Sequence, residues 1–152
     1  MAVTFESVND ALDFAIANEI EAHDMYMDLA GKVDRPEMRE VFEQFAREEL
    51  GHKAKLEHVK AGGELKPVEG KIQTLAIADY TVDIQPKENP TYQEALMIAM
   101  QAEKRAFKLY TDLASQATDP VIVELFRGLA QEEAKHKLRF EIEYDDNILT
   151  EN

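Results

Sequence analysis

Nothing constrains this chain more than a repeat within its own sequence. Glu19 and Glu103 are 84 positions apart, and so are Ala22 and Ala106, Tyr26 and Tyr110, and Leu29 and Leu113. Pro36 and Pro120, Phe42 and Phe126, Ala46 and Ala130, Glu49 and Glu133, and His52 and His136 keep that spacing without a gap. Two unrelated amphipathic hairpins would share an apolar period, but not matching prolines, tyrosines and E-x-x-H units in one register. The chain is an internal duplication, so whatever one half builds the other builds too.

Each half reads as a pair of helices. Apolar residues at helical spacing predict segments from about Thr4 to Val33, from Pro36 to Gly62-Gly63, from Pro90-Thr91 to about Ala117, and from Asp119-Pro120 to about Tyr144. In the first, Val8, Leu12, Ala15, Ala22, Tyr26 and Leu29 share one face. Proline suits a first helical turn and paired glycines suit a stop. The short turns "VDRP" and "ATDP" make each pair antiparallel. Between the halves lie residues 62–90, a connection longer than a loop without a purpose. Its "IQTLAIADYTVDI" suits a short helix or an apolar strap. Its length predicts a crossover from one end of the bundle to the other, with the second pair entering from the same end as the first. The expected fold is all-α: one domain over 1–152, made of a helix pair 4–62, the crossover 62–90 and a helix pair 90–145.

Composition narrows the function. At 152 residues the chain is long enough for a real core, and no apolar run approaches the ~18 residues that span a bilayer. The start "MAVTFESVNDALDF" lacks the basic and apolar blocks of a secretory signal, so a cytoplasmic location is the default. Cysteine is absent, which excludes disulfides, thiolate metal sites and iron–sulfur centres in this chain. A net charge of −14 argues against nucleic acid and against anionic membranes as partners, and favours cations.

Carboxylates and imidazoles lie on the apolar stripes. Glu19 falls between Ala15 and Ala22, and Glu103 between Ala99 and Ala106. The second helix places Glu49 and His52 on its apolar face, and the fourth places Glu133 and His136 between Leu129 and Phe140. Folding four such stripes together brings four carboxylates and two imidazoles into one core. A buried ionised carboxylate without a partner costs several kcal/mol, and clustered ones repel as well. No lysine or arginine sits on these stripes, since Lys53 and Lys137 are turned about 100° from the histidines they follow. Two divalent cations balance four glutamates. Oxygen ligands with neutral imidazoles suit iron or manganese, and zinc less exclusively. Bundles that hold two iron or manganese ions use this arrangement: one Glu from each of two helices and Glu-x-x-His from each of the others.

Other residues carry less. Tyr26 and Tyr110 lie two turns beyond Glu19 and Glu103 on the same faces and read as hydrogen-bond donors to ligand carboxylates. His23 has Phe107 as its repeat partner and reads as a packing histidine, while His58 reads as surface. Glu48 and Glu132 recur but lie off the stripe, either solvated or beside the ligands. Met25, Met27, Met97 and Met100 read as core filling.

The segments "NEIEAHDMY", "REELGHKAKLE", "QAEKRAFKLY" and "QEEAKHKLRFE" resemble the four metal-binding helices of the ferritin-like superfamily, and most closely those of the rubrerythrin family. The likeness runs from about residue 4 to 145. It implies a ferritin-like four-helix bundle with a two-iron centre ligated by Glu19, Glu49, His52, Glu103, Glu133 and His136. Glu49 and Glu133 would bridge the metals, and Glu19 and Glu103 would be terminal. It also implies reduction of hydrogen peroxide, oxidation of ferrous iron by oxygen, or both, in a homodimer. Two departures qualify the resemblance. A cysteine-rich rubredoxin domain is usual in rubrerythrins, so this chain would take electrons from an external donor such as a rubredoxin-like protein. An additional glutamate is usual three positions after the third-helix ligand, where this chain has Ala106. The expected function is therefore a stand-alone peroxide or oxygen reductase with a symmetric site, and the alternative is a ferroxidase or iron-handling protein.

Overall fold

The computed structural model describes residue 5 and residues 7–61 and 89–149. They form four long α-helices: α1 (Val8–Lys32), α2 (Pro36–Ala61), α3 (Tyr92–Gln116) and α4 (Pro120–Tyr144). A π-helical turn, Asp145–Leu149, follows α4. The fold is ferritin-like and all-α among the described residues. The crossover 62–90 lies outside the described residues except for positions 89 and 90. No helix among the described residues is long and apolar enough to cross a membrane.

Capping side chains fix the helix starts. Helix α1 begins at Val8, later than the apolar period suggests, because Ser7 is extended and its hydroxyl accepts from the Asp10 N–H at 3.1 Å. Thr91 and Glu94 form a reciprocal capping box at the start of α3. Asp119 caps α4 by accepting from the Val121 N–H at 2.8 Å, with Pro120 in the first turn. The corresponding helix ends also match: the N–H of Val33 donates to Leu29 O, and that of Ala117 to Leu113 O.

Helices α1 and α2 pack as one pair and α3 and α4 as the other, as the short turns require. The relation between the pairs differs from the sequence expectation. Tyr26 of α1 donates to Glu103 of α3, and Tyr110 of α3 donates to Glu19 of α1, so α1 and α3 run antiparallel. The start of α3 therefore lies beside the α1–α2 turn, opposite the end at which α1 begins. The second pair enters from the opposite end to the first, because α2 runs back to the end at which α1 begins while α3 starts beside the α1–α2 turn. Arg35, in the α1–α2 turn, stacks over Tyr92 at 3.9 Å and donates to Asn147 at 3.1 Å. These contacts tie the turn, the start of α3 and the tail of α4 together.

Two apolar clusters fill the two ends of the bundle. One gathers Leu12, Leu56, Leu109, Tyr110, Leu113, Phe126 and Leu129, and the other Tyr26, Leu29, Phe42, Phe45, Leu96 and Phe140. The buried polar residues Glu19, Glu49, His52, Glu103, Glu133 and His136 belong to neither cluster.

Candidate metal centre

The six polar residues arrive from all four helices. Glu19 comes from α1, Glu49 and His52 from α2, Glu103 from α3, and Glu133 and His136 from α4, each at most 4% exposed. A Glu and a His three positions apart face the same way on a helix, so each E-x-x-H unit presents both groups to the core. Their ligating atoms fall into two groups of four. One is Glu19, Glu49, His52 and Glu133, and the other Glu49, Glu103, Glu133 and His136, with the atoms of each within 4.8 Å of one another. Glu49 and Glu133 are common to both, and Glu19 and Glu103 belong to one each.

The two histidines face the cluster through Nδ1. His52 Nδ1 lies 2.9 Å from Glu133 Oε1 and 3.5 Å from both Glu19 Oε2 and Glu49 Oε1. His136 Nδ1 lies 3.3 Å from Glu49 Oε1 and 3.5 Å from Glu103 Oε1. These are contact distances without hydrogen-bond geometry. Glu19 Oε2, Glu49 Oε1, His52 Nδ1, Glu103 Oε2, both Glu133 oxygens and both His136 nitrogens are buried without a hydrogen-bond partner. So many orphaned donors and acceptors in one core are costly, because each has lost its water.

Electrostatics point the same way. Burial and the charges of neighbouring carboxylates hold Glu49 and Glu103 well above the usual carboxylate range. For Glu133 burial works upward, but His52 and the other polar neighbours outweigh it and the net shift is down. Burial works against the charged ring of His52, yet Glu133 and Glu19 outweigh it and push the ring up to about 10. His136 shifts the other way, held below its usual range chiefly by burial. A core in which carboxylates must keep protons is relieved by cations, and the donor set fits two of them. The orphaned atoms that face the cluster are the ones such ions would take up.

Both tyrosines reach a carboxylate, but across the repeat. Tyr110 donates to Glu19 Oε1 at 2.6 Å, and Tyr26 donates to Glu103 Oε1. His23 is only half-buried and pairs with Asp24 at 3.0 Å, while His58 is exposed; neither reaches the cluster. Lys53 and Lys137 turn outward to Glu57 and Glu141. Met27 and Met97 are exposed rather than core, whereas Met25 and Met100 pack against the core.

The sequence identifies two neighbours of His136 only coarsely, Phe45 as core and Glu48 as either solvated or beside the ligands. Phe45 stacks on its ring at 3.8 Å between centroids and 15° between planes. Glu48 Oε1 lies 3.6 Å from its Nε2, on the side away from the cluster. The recurrence of Glu48 as Glu132 was the only available signal, and it misleads in part, since Glu132 pairs instead with Lys135 at 3.5 Å.

The rubrerythrin family model matches residues 10–144. The chain belongs to the rubrerythrin family. Among solved structures, this rubrerythrin-family chain is similar to a Thermotoga maritima protein described as a ferritin-like diiron-carboxylate protein. The two share 20% identity and a TM-score of 0.76, over 95% of this chain and 98% of that one. A hypothetical protein from Pyrococcus furiosus is 25% identical with a TM-score of 0.64, over 89% of this chain and 86% of that one. No curated protein matches the chain significantly. The family and the fold thus agree with the buried carboxylate and histidine cluster in giving a rubrerythrin-type metal site.

Proposed function

We propose that the protein is a two-iron carboxylate oxidoreductase that reduces hydrogen peroxide, or oxygen, with electrons from an external donor such as a rubredoxin-like protein. The observation that supports this most is the pair of four-residue groups sharing Glu49 and Glu133. In this reading Glu49 and Glu133 serve both metals. Glu19 and His52 complete one half, and Glu103 and His136 the other. Two ferrous ions, when bound there, supply the two electrons that convert hydrogen peroxide and two protons into two waters.

The chain's own residues do the rest. Tyr110 and Tyr26 hold Glu19 and Glu103 in place through their hydroxyls, leaving one oxygen of each glutamate free of hydrogen bonds. The apolar clusters on both sides exclude water and strengthen every charge interaction between them. Protons held by Glu49 and Glu103 in the metal-free core leave when cations take their places.

Metal analysis tests the ligand set. Purified protein binds two irons per chain, and the double variant Glu49→Ala plus Glu133→Ala binds none; retention of both irons would sink the assignment. Stopped-flow absorbance then separates the activities. Rapid stoichiometric oxidation of the ferrous protein by peroxide, with a slow oxygen reaction, supports the peroxidase. Fast oxygen consumption followed by release of ferric iron supports iron handling instead. Inertness to both leaves a bundle that merely holds metal.

A further inference from the structure

A cleft of about 90 Å³ lies between α1 and α3, well above the ~15 Å³ that admits one water. Its deep wall includes Glu19, Glu49 and Tyr110, which belong to the buried cluster. Glu19 Oε2 and Glu49 Oε1 are both buried without hydrogen-bond partners. Ala22 and Ala106 line the passage, and side chains this small leave it open. The wall is largely apolar apart from Asn18, Glu21 and Arg105. Asn18 is already engaged, donating to Phe14 O at 2.8 Å.

Arg105 is the unexplained residue. It is half-buried, and among the described residues it makes neither hydrogen bond nor ion pair. Its repeat partner is Glu21, so the duplication has put a guanidinium where the other half keeps a carboxylate. A wall with two glutamates above Glu19 and Glu49 would draw in cations. Arg105 cancels that field at the opening and offers a free fork of donors to a small anion.

We propose that the α1–α3 cleft, with Arg105 on its wall, is the portal through which a small anionic or neutral oxidant of peroxide size reaches the metals. This rests on the proposed two-iron centre. Arg105 acts as its specificity-determining residue: it favours such ligands and disfavours cations along this path.

Azide, a small anion, is the probe, read by its charge-transfer absorbance on the oxidised iron-loaded protein. Arg105→Glu restores the carboxylate of the repeat and weakens azide binding on the order of tenfold, since one charge is reversed beside a partly solvated path. Arg105→Gln weakens it less, and Ala106→Leu, which fills the passage, slows azide association with iron content unchanged. Circular dichroism and iron content confirm that each variant is folded and loaded. If azide affinity and association rate stay at wild-type values in both Arg105→Glu and Ala106→Leu, the portal lies elsewhere. A wild-type protein that binds no iron pair overturns the parent reading instead, and this shows before any variant is compared.

Discussion

The two halves of the centre carry the same candidate ligands and different walls. His136 has Phe45 stacked on its ring, Tyr26 edge-on at 6.4 Å, and Glu48 behind its far nitrogen. The positions matching Phe45 and Phe140 in the other half hold Leu129 and Leu56, and Glu132 is turned to a lysine. The half of His136 is thus the more aromatic one; the half of His52 has leucine at both of those places, and it is also the one the cleft reaches, through Glu19 and Tyr110. Duplication explains why both halves present Glu and His at the same depth; it does not require identical surroundings. The donor sets were kept alike while the walls diverged, which would give two chemically matched positions with unequal access and unequal local polarity.

Removing one terminal carboxylate at a time tests whether the two halves are independent. Glu19→Ala leaves Glu103, His136 and both shared glutamates, so the chain is expected to keep one iron, in the aromatic half. Glu103→Ala leaves the complementary set and is expected to keep one iron in the cleft-facing half. The two single-iron proteins then differ in spectrum and in azide binding, with azide reaching only the Glu103→Ala protein. Loss of both irons in either variant would show that the halves bind as one unit.

The histidines give a second contrast, in the metal-free protein. His52 is pushed up to about 10 although burial opposes it, and His136 is held below its usual range. A raised folded value means that His52 stabilises the fold fully below about 6.5, the unfolded value, and that this contribution is lost as pH rises through 10. The depressed value of His136 acts oppositely: its contribution is present above about 6.5 and lost as pH falls below it. At neutral pH one ring is therefore charged and the other neutral. Two-dimensional NMR of the ring carbons is expected to show His52 protonated through pH 8 and His136 not. Loading at pH 7 also releases protons, from His52 and from Glu49 and Glu103, measurable in a weakly buffered titration. Two rings titrating together near 6.5 would remove the asymmetry.

These contrasts mark where sequence reading stopped. Glu49, His52, Glu133 and His136 were legible because a polar pair on an apolar stripe conflicts with burial, and the conflict recurs in register. Glu19 and Glu103 were legible through their flanking alanines and the same repeat. The direction of the second pair was not, since periodicity fixes which face of a helix is buried but not which end it enters from. The partners of Tyr26 and Tyr110 depend on that direction, and so they too came only from the fold. Phe45 and Leu129 look interchangeable on an apolar stripe, and only the packed core shows one of them against an imidazole. Arg105 carried no signal as an isolated residue of an acidic chain; it became legible once the cleft placed it near Glu21.

Divergence between the halves also occurs where it does no chemistry, and the smallest expected effect separates the two kinds. Gly128, exposed in the middle of α4, corresponds to Gln44 in α2, and a Cβ added at Gly128 meets nothing within 4 Å. Glycine in a helix interior costs roughly 0.5–1 kcal/mol relative to alanine, because the unfolded chain loses more freedom on folding. Gly128→Ala is therefore expected to stabilise by about that amount, raising the Tm of the metal-free protein by about 2 °C in a chain this long. Gln44→Ala is expected to change little, since glutamine is already a good helix former. Differential scanning calorimetry reads both. Iron content and azide binding stay unchanged in both variants, because these positions face away from the centre. A fall in Tm for Gly128→Ala would mean that the outer face of α4 is covered in solution, and position 128 would then join Arg105 among the divergent sites with a role.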